Sequence, residues 1–161
     1  MRDEAYHFLL GLKALREEYA TRMEELARTR AAATKTTAQL TGMAVSGSKD
    51  PHKDSITLAL ADADERMQVM RERLRAESLL AEELIVKLPN PLHWRLLYLR
   101  YVNGLEWKQI VKALADLDGA EVTDRTVYNW HNAALDSAQK IWENGLYDNR
   151  YRQIKEGYPL A

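Results

Sequence analysis

Apolar residues recur at alternating steps of four and three through Ile56, Leu60, Ala63, Met67, Met70, Leu74, Glu77, Ala81, Leu84 and Leu88. Nine of these ten positions are apolar, which is the heptad seam of a long helix. Asp54 or Ser55 is suited to cap its start and Pro89 to end it, giving a rod about 50 Å long. Glu77 is the charged exception in the seam. Its long side chain is expected to reach solvent at the edge, the alternative being a polar contact that fixes register. The segment before it is built the same way but more loosely. Leu12, Tyr19, Leu26, Ala33 and Leu40 repeat every seven, with Phe8 and Leu15 on the neighbouring row. That row decays to Arg22, Thr29 and Thr36, so the end near the intervening loop is expected to pack weakly. The loop itself, TGMAVSGSKDPHKD, is short and polar, which predicts an antiparallel helical hairpin over residues 1–88 with its loop at about 41–53. Tyr6 and Phe8 would then lie near Leu84 and Leu88. Two helices with one apolar stripe each bury little alone. The hairpin is therefore expected to pack on the rest of the chain, self-associate or hold a partner.

From Pro91 the pattern shortens and becomes aromatic. PLHWRLLYLRYVNG reads as a helix with Trp94, Leu97, Tyr98 and Tyr101 on one face, stopped at Asn103-Gly104. Next, Trp107, Ile110, Val111 and Leu114 lie at helical spacing, followed by a turn at Gly119. Thr123 then opens a long helix as N-cap, with Thr126 three positions on. Val127, Trp130, Ala134, Leu135, Ala138 and Ile141 are its predicted buried stripe. Residues 89–142 are thus helix, tight turn, helix, longer turn, long helix. In the tail, 143–161, the spacing of Leu146, Tyr147, Tyr151, Ile154 and Tyr158 favours a short packed helix. No segment alternates convincingly with a period of two, so the predicted fold class is all-α.

Composition sharpens this division. Of the 13 Phe, Trp and Tyr residues in the 161-residue chain, only Tyr6, Phe8 and Tyr19 precede residue 94. A thin aliphatic part should therefore precede a compact aromatic one, with Trp94, Tyr98, Trp107 and Trp130 holding the latter. Hydrophobic content of 46% with 29% charged residues describes a folded, helix-rich chain. There are no cysteines, which excludes disulfide scaffolds, cysteine zinc sites and cysteine nucleophiles. No apolar run approaches the length of a membrane span, and the N-terminus does not read as a signal peptide, so a cytoplasmic protein with no membrane partner is expected.

The stretch from Pro91 to Leu135 resembles the helix-turn-helix of sigma factor region four. The matching parts are L-x-L-R-Y-x-x-G-L from Leu97 to Leu105, W-x-x-I-x-x-x-L from Trp107 to Leu114, and V-T-x-x-T-V-Y-x-W-x-x-x-A-L from Val122 to Leu135. With a helical pair and an SGSKDP loop ahead of it, the whole arrangement looks like phage-encoded sigma-like regulators of the autolysin-regulator (ArpU)/RinA type. That resemblance implies a transcriptional regulator, associated with switching on phage late genes in a bacterial host cell. By position, it places base contacts on Asp124, Arg125, Tyr128 and Asn129.

The residue chemistry agrees. Asp124, Arg125, Tyr128, Asn129 and Asn132 face away from the predicted stripe. Arg can read guanine and Asn adenine, each through two hydrogen bonds. Thr123 and Thr126 stand at the N-terminus that would approach the groove, where backbone N–H groups favour phosphate. Lys108, Gln109 and Lys112, with Arg100 behind them, suit phosphate contacts from the preceding helix. The expected partners are double-stranded DNA at a promoter element, RNA polymerase, and a second copy held through the hairpin.

Two features depart from the family pattern. Ala115 to Val122 adds roughly six residues to a turn that is normally about four, so the preceding helix is expected to run on to Leu117. Charge is the other: Pro89 to Trp142 carries six basic and six acidic residues, and the whole chain has a formal charge of −1. DNA affinity rests largely on neutralised phosphates, so a neutral module should need a dimer or a polymerase partner. Two further readings stay open: an interaction adaptor that keeps the fold without reading DNA, and a small terminase-like packaging protein. No Gly-rich phosphate loop, Ser-His-Asp set or metal-spaced histidine pair occurs, so no catalytic activity, cofactor or metal is expected. His93 and His131 read as a near-cap and a surface residue, and Asp62, Asp64 and Glu65 as a solvated helix flank.

Overall fold

The computed structural model describes residues 3–41, 51–118 and 121–160, and its regular structure is entirely helical. The protein is all-α. The helices are α1 (Glu4–Thr41), α2 (Pro51–Val86), α3 (Pro91–Leu97), α4 (Trp107–Asp118), α5 (Asp124–Asn144) and α6 (Tyr147–Gly157), with a π-helical turn (Tyr98–Val102) continuing α3. The loop motif at 46–50 and the turn at Gly119 lie outside the described residues.

α1 and α2 pack against one another in antiparallel register. Arg16 Nη2 donates to Ser78 Oγ at 3.2 Å, and Arg30 pairs with Asp64, so fourteen residues forward along α1 match fourteen back along α2. Helix α2 begins at Pro51, ahead of the cap expected at Asp54 or Ser55. A proline fits a first helical turn, where its missing N–H would have no partner. Burial along both seams falls with distance from the ends near residues 8 and 84. Leu9, Leu12, Leu84 and Ile85 are completely buried, whereas Ile56, Leu60 and Ala63 are half-buried. The decaying row on α1 has the expected effect.

One hydrophobic cluster joins the base of the hairpin to everything after it. Ala5, Phe8, Leu9, Leu80, Leu84 and Leu88 meet Leu96, Leu97, Tyr101, Ile110, Leu114, Val127, Ala138, Trp142 and Tyr147. The aromatic core differs from the one expected. Trp94, Tyr98, Trp107 and Trp130 are only half-buried, and Trp94 and Tyr98 stack on each other with centroids 5.6 Å apart. The buried aromatics are instead Phe8, Tyr101, Trp142 and Tyr147. The π-helical turn contributes to the shift. Its extra residue, marked by Asn103 N–H donating to Tyr98 O at 3.0 Å, puts Val102 beside Tyr101 in the core. Gly104 then takes φ +71°, and Leu105 N–H reaches back to Leu99 O at 3.0 Å, closing the helix.

The tail forms α6 and seats against α2 and α5. Tyr147 stacks on Trp142 at 5.5 Å, Tyr151 meets Phe8 edge-on at 4.9 Å, and Trp142 Nε1 donates to Asp148 Oδ1 at 2.7 Å. Polar links to the end of α2 and the residue after it accompany them: Lys87 Nζ donates to the Tyr147 hydroxyl at 2.7 Å, and Arg150 pairs with Glu83 at 2.5 Å. Glu77 does not reach solvent. It is 2% exposed, 3.6 Å from Arg73 Nε, and hydrogen-bonded to Tyr151. Desolvation raises its pKa above the usual carboxylate range, opposed by Arg73. A seam carboxylate is kept because α6 supplies the hydroxyl that solvates it.

Candidate nucleic-acid interface

Helix α5 is held from behind by a stripe that keeps the predicted Val127, Ala134 and Ala138 but replaces Trp130 and Ile141 by their next neighbours, His131 and Trp142. Val127, His131, Ala134, Ala138 and Trp142 are buried, while Trp130, Leu135 and Ile141 are half-buried. His131 is therefore a core residue and not a surface one. Its Nε2 lies 2.7 Å from the Tyr101 hydroxyl, its ring meets the Trp107 ring edge-on at 4.8 Å, and Tyr6 of α1 approaches at 6.4 Å. Burial, reinforced by the Arg100 charge, lowers its pKa to about 4. The same desolvation pushes the Tyr101 hydroxyl well above its ordinary value. A neutral imidazole thus ties α5 to the π-helical turn and α4. The 127–131–134–138 spacing was legible, but the tryptophan at 130 outweighed the histidine at 131 in the pattern.

Arg100 belongs to the same joint. Its guanidinium lies 4.4 Å from the centre of the Trp107 ring and donates to Leu105 O at 3.0 Å. It is committed to holding the start of α4 and is not free for phosphate. Sequence reasoning missed this role, as it missed Gln139, which accepts from Ala5 N–H at 2.9 Å and donates to Glu4 Oε2 at 2.6 Å. That pair fastens α5 to the first turn of α1.

The start of α5 is set by Thr123, in extended backbone at φ −97° and ψ 164°, whose Oγ1 accepts from Thr126 N–H at 3.2 Å. The two hydroxyls also lie 2.9 Å apart, so Thr126, half-buried, is spent on the cap. Asp124 follows in the first turn, where a carboxylate suits the positive end of the helix dipole. Beyond the cap, Arg125, Tyr128, Asn129 and Asn132 are exposed, Tyr128 at 63%. Among the described residues none of these four forms a side-chain hydrogen bond or ion pair.

Helix α4 runs to Asp118, matching the extension expected from the long turn. Its start is a half capping box: Gln109 Oε1 accepts from Glu106 N–H at 3.0 Å. Gln109 is exposed but its amide oxygen is thereby engaged, whereas Lys108 and Lys112 are exposed with no ion pair among the described residues. The first turns of α4 and α5 border a common cleft of about 430 Å³, walled by Trp107 and Val111 on one side and Asp124, Arg125, Val127 and Tyr128 on the other. Lys108 and Lys112 are thus sequence neighbours of one wall, and Arg125 and Tyr128 stand on the other. Tyr128 and Asn132 also edge a second groove, shared with Asp3, Tyr6, Asp136 and Glu143. Its rim carries three acids against Lys140, so among the described residues the first two turns of α5 present the less acidic surface.

Among the described residues no group of three or more His, Asp or Glu side chains could hold a metal ion, and no helix is long and apolar enough to cross a membrane. Comparisons with family models, with curated proteins and with solved structures give no match to this chain.

Proposed function

We propose that the chain is a sequence-specific, DNA-binding transcription regulator, of the phage-encoded sigma-like kind that its sequence resembles. The first two turns of α5 enter the major groove of a promoter element. The observation that carries this reading is the outward face of Arg125, Tyr128, Asn129 and Asn132, exposed and unpaired on a helix whose start is fixed by the Thr123–Thr126 cap. Arg125 reads guanine, Asn129 reads adenine, and Asp124 accepts from a cytosine amino group. Lys108 and Lys112 hold phosphates. RNA polymerase or a second copy supplies the affinity that a charge-neutral module lacks.

The test is a gel-shift or anisotropy titration on DNA upstream of the chain's own operon, at two salt concentrations. Arg125→Ala with Asn129→Ala should weaken binding to the preferred site by at least about tenfold, since each bidentate contact is worth about 1–3 kcal/mol. Non-specific affinity should change much less. Wild-type binding without sequence preference would sink the proposal.

One observation favours a second reading. The cleft between α4 and α5 has apolar walls of Trp107, Val111 and Val127, in a module with as many acids as bases. Such a cleft suits an adaptor that docks a protein partner and reads no DNA. Stable capture of polymerase by a chain with no DNA affinity at low salt would favour it.

A further inference from the structure

The cleft between α4 and α5 is apolar inside and charged around its mouth. Trp107 and Val111 make one wall, and Val127 with the ring of Tyr128 the other. Val127 is buried, Trp107 and Val111 are half-buried, and Tyr128 is exposed at the mouth. Asp124 and Arg125 complete the lining, and Lys108 and Lys112 each follow a wall residue of α4 by one position. Three exposed cations thus stand around the cleft against the one carboxylate of Asp124. Lys108, Lys112 and Arg125 form no ion pair among the described residues. A mouth of that charge suits a polyanion, although the module as a whole is neutral.

We propose that this cleft reads the C5-methyl group of a thymine beside the base pair that Arg125 reads. The inference rests on the proposed function and adds to it the one base that the polar side chains leave unread. Arg125 suits guanine, Asn129 adenine and Asp124 cytosine, each through hydrogen bonds. An apolar wall selects differently. In the major groove guanine presents two acceptors, adenine an acceptor and a donor, and cytosine a donor, and each loses its bonds to water when pressed against such a wall. Thymine alone presents a methyl group there, which gains by leaving water. Position agrees with chemistry. Arg125 and Tyr128 are three residues apart, about 4.5 Å along the helix axis, and successive base pairs are about 3.4 Å apart. The methyl group therefore belongs to a neighbour of the guanine. Tyr128 and Val111, on opposite walls, are the specificity-determining side chains.

Single thymine-to-deoxyuridine replacements across the preferred site, each titrated with the full chain, test this. One replacement, beside the guanine, should weaken binding about fourfold, the worth of one buried methyl group. 5-Bromouracil at the same position, with bromine in place of the methyl, should restore it. In Val111→Ala and in Tyr128→Ala the thymine and deoxyuridine sites should bind equally. Should Val111→Ala lose helicity, Tyr128→Ala, at an exposed position, still gives the comparison. A second measurement needs no variant: on illumination, 5-bromouracil at that position should cross-link to Trp107 or Tyr128. Sequence-specific binding in which every replacement is neutral, a penalty that persists in both variants, or a cross-link outside α4 and α5 would each overturn the inference while the DNA reading stands. Neutrality is also the result that a cleft docking a protein partner gives. Binding without sequence preference overturns both.

Discussion

Burial keeps His131 neutral, and that makes the fold sensitive to acid. Its folded pKa, lowered to about 4, lies below the ordinary 6.5. Well above pH 6.5 both folded and unfolded chains hold it neutral, and its contribution is fully present. As pH falls from 6.5 toward 4 the unfolded chain takes up a proton that the native one refuses, so stability drops with pH across that window and levels off below it. The drop should amount to at most about 3 kcal/mol. Thermal melts of wild type and His131→Leu at intervals from pH 7 to 4.5 should show a shallower slope in the variant; parallel slopes would discount the residue. Gly145 is constrained by contact and not by backbone angle. A Cβ there would sit 2.6 Å from Cε2 of Tyr147, which is itself stacked on Trp142 and cannot retreat. Gly145→Ala should therefore cost about 1–3 kcal/mol in a urea titration, overpacking being the cause.

Helix α6 closes the base of the hairpin through one buried carboxylate and several rings. Glu77→Ala removes the acceptor for Tyr151 and leaves Arg73 partly buried without its partner, and should cost about 2–4 kcal/mol. Tyr151→Phe, which keeps the ring against Phe8, should cost only about 1 kcal/mol. Hydrogen exchange should show the α6 amides losing most protection in the first variant; equal protection in both would mean that the rings alone hold the helix. The helices themselves were legible because heptad seams, a Thr cap and Asn-Gly or proline punctuation act locally. The burial of Leu97, Tyr101, Val127, Ala134 and Ala138 was legible too, but that of Val102, His131 and Trp142 was not, because a π-helical turn and a tyrosine that satisfies His131 are tertiary facts with no local mark. Glu77 was misjudged for the same reason: its solvating hydroxyl comes from residue 151. The candidate interface was legible only as exposed polar positions. Which of them stay free was decided by packing, which spends Thr126, Gln109 and Arg100 on cap, helix start and ring.

At the scale of the molecule, near-neutral charge limits how DNA can be held. Lys108, Lys112 and Arg125 offer about three phosphate or base-edge cations per chain, which predicts a log affinity against log salt slope of roughly −3 for one copy and about −6 for a pair. Titrations from low to moderate salt measure it, and a slope near −10 would point to cations outside α4 and α5. The Gln139 clamp has a mechanical consequence. It ties α5 to the first turn of α1, and α1 continues as a rod of 38 residues, roughly 57 Å at 1.5 Å per residue. A rocking of about 5° at that joint therefore moves the far end by about 4–5 Å, close to one helical pitch. Under the proposed function the hairpin is a lever with α5 at its base, so a partner gripping it along its length would also set the angle at which α5 meets DNA.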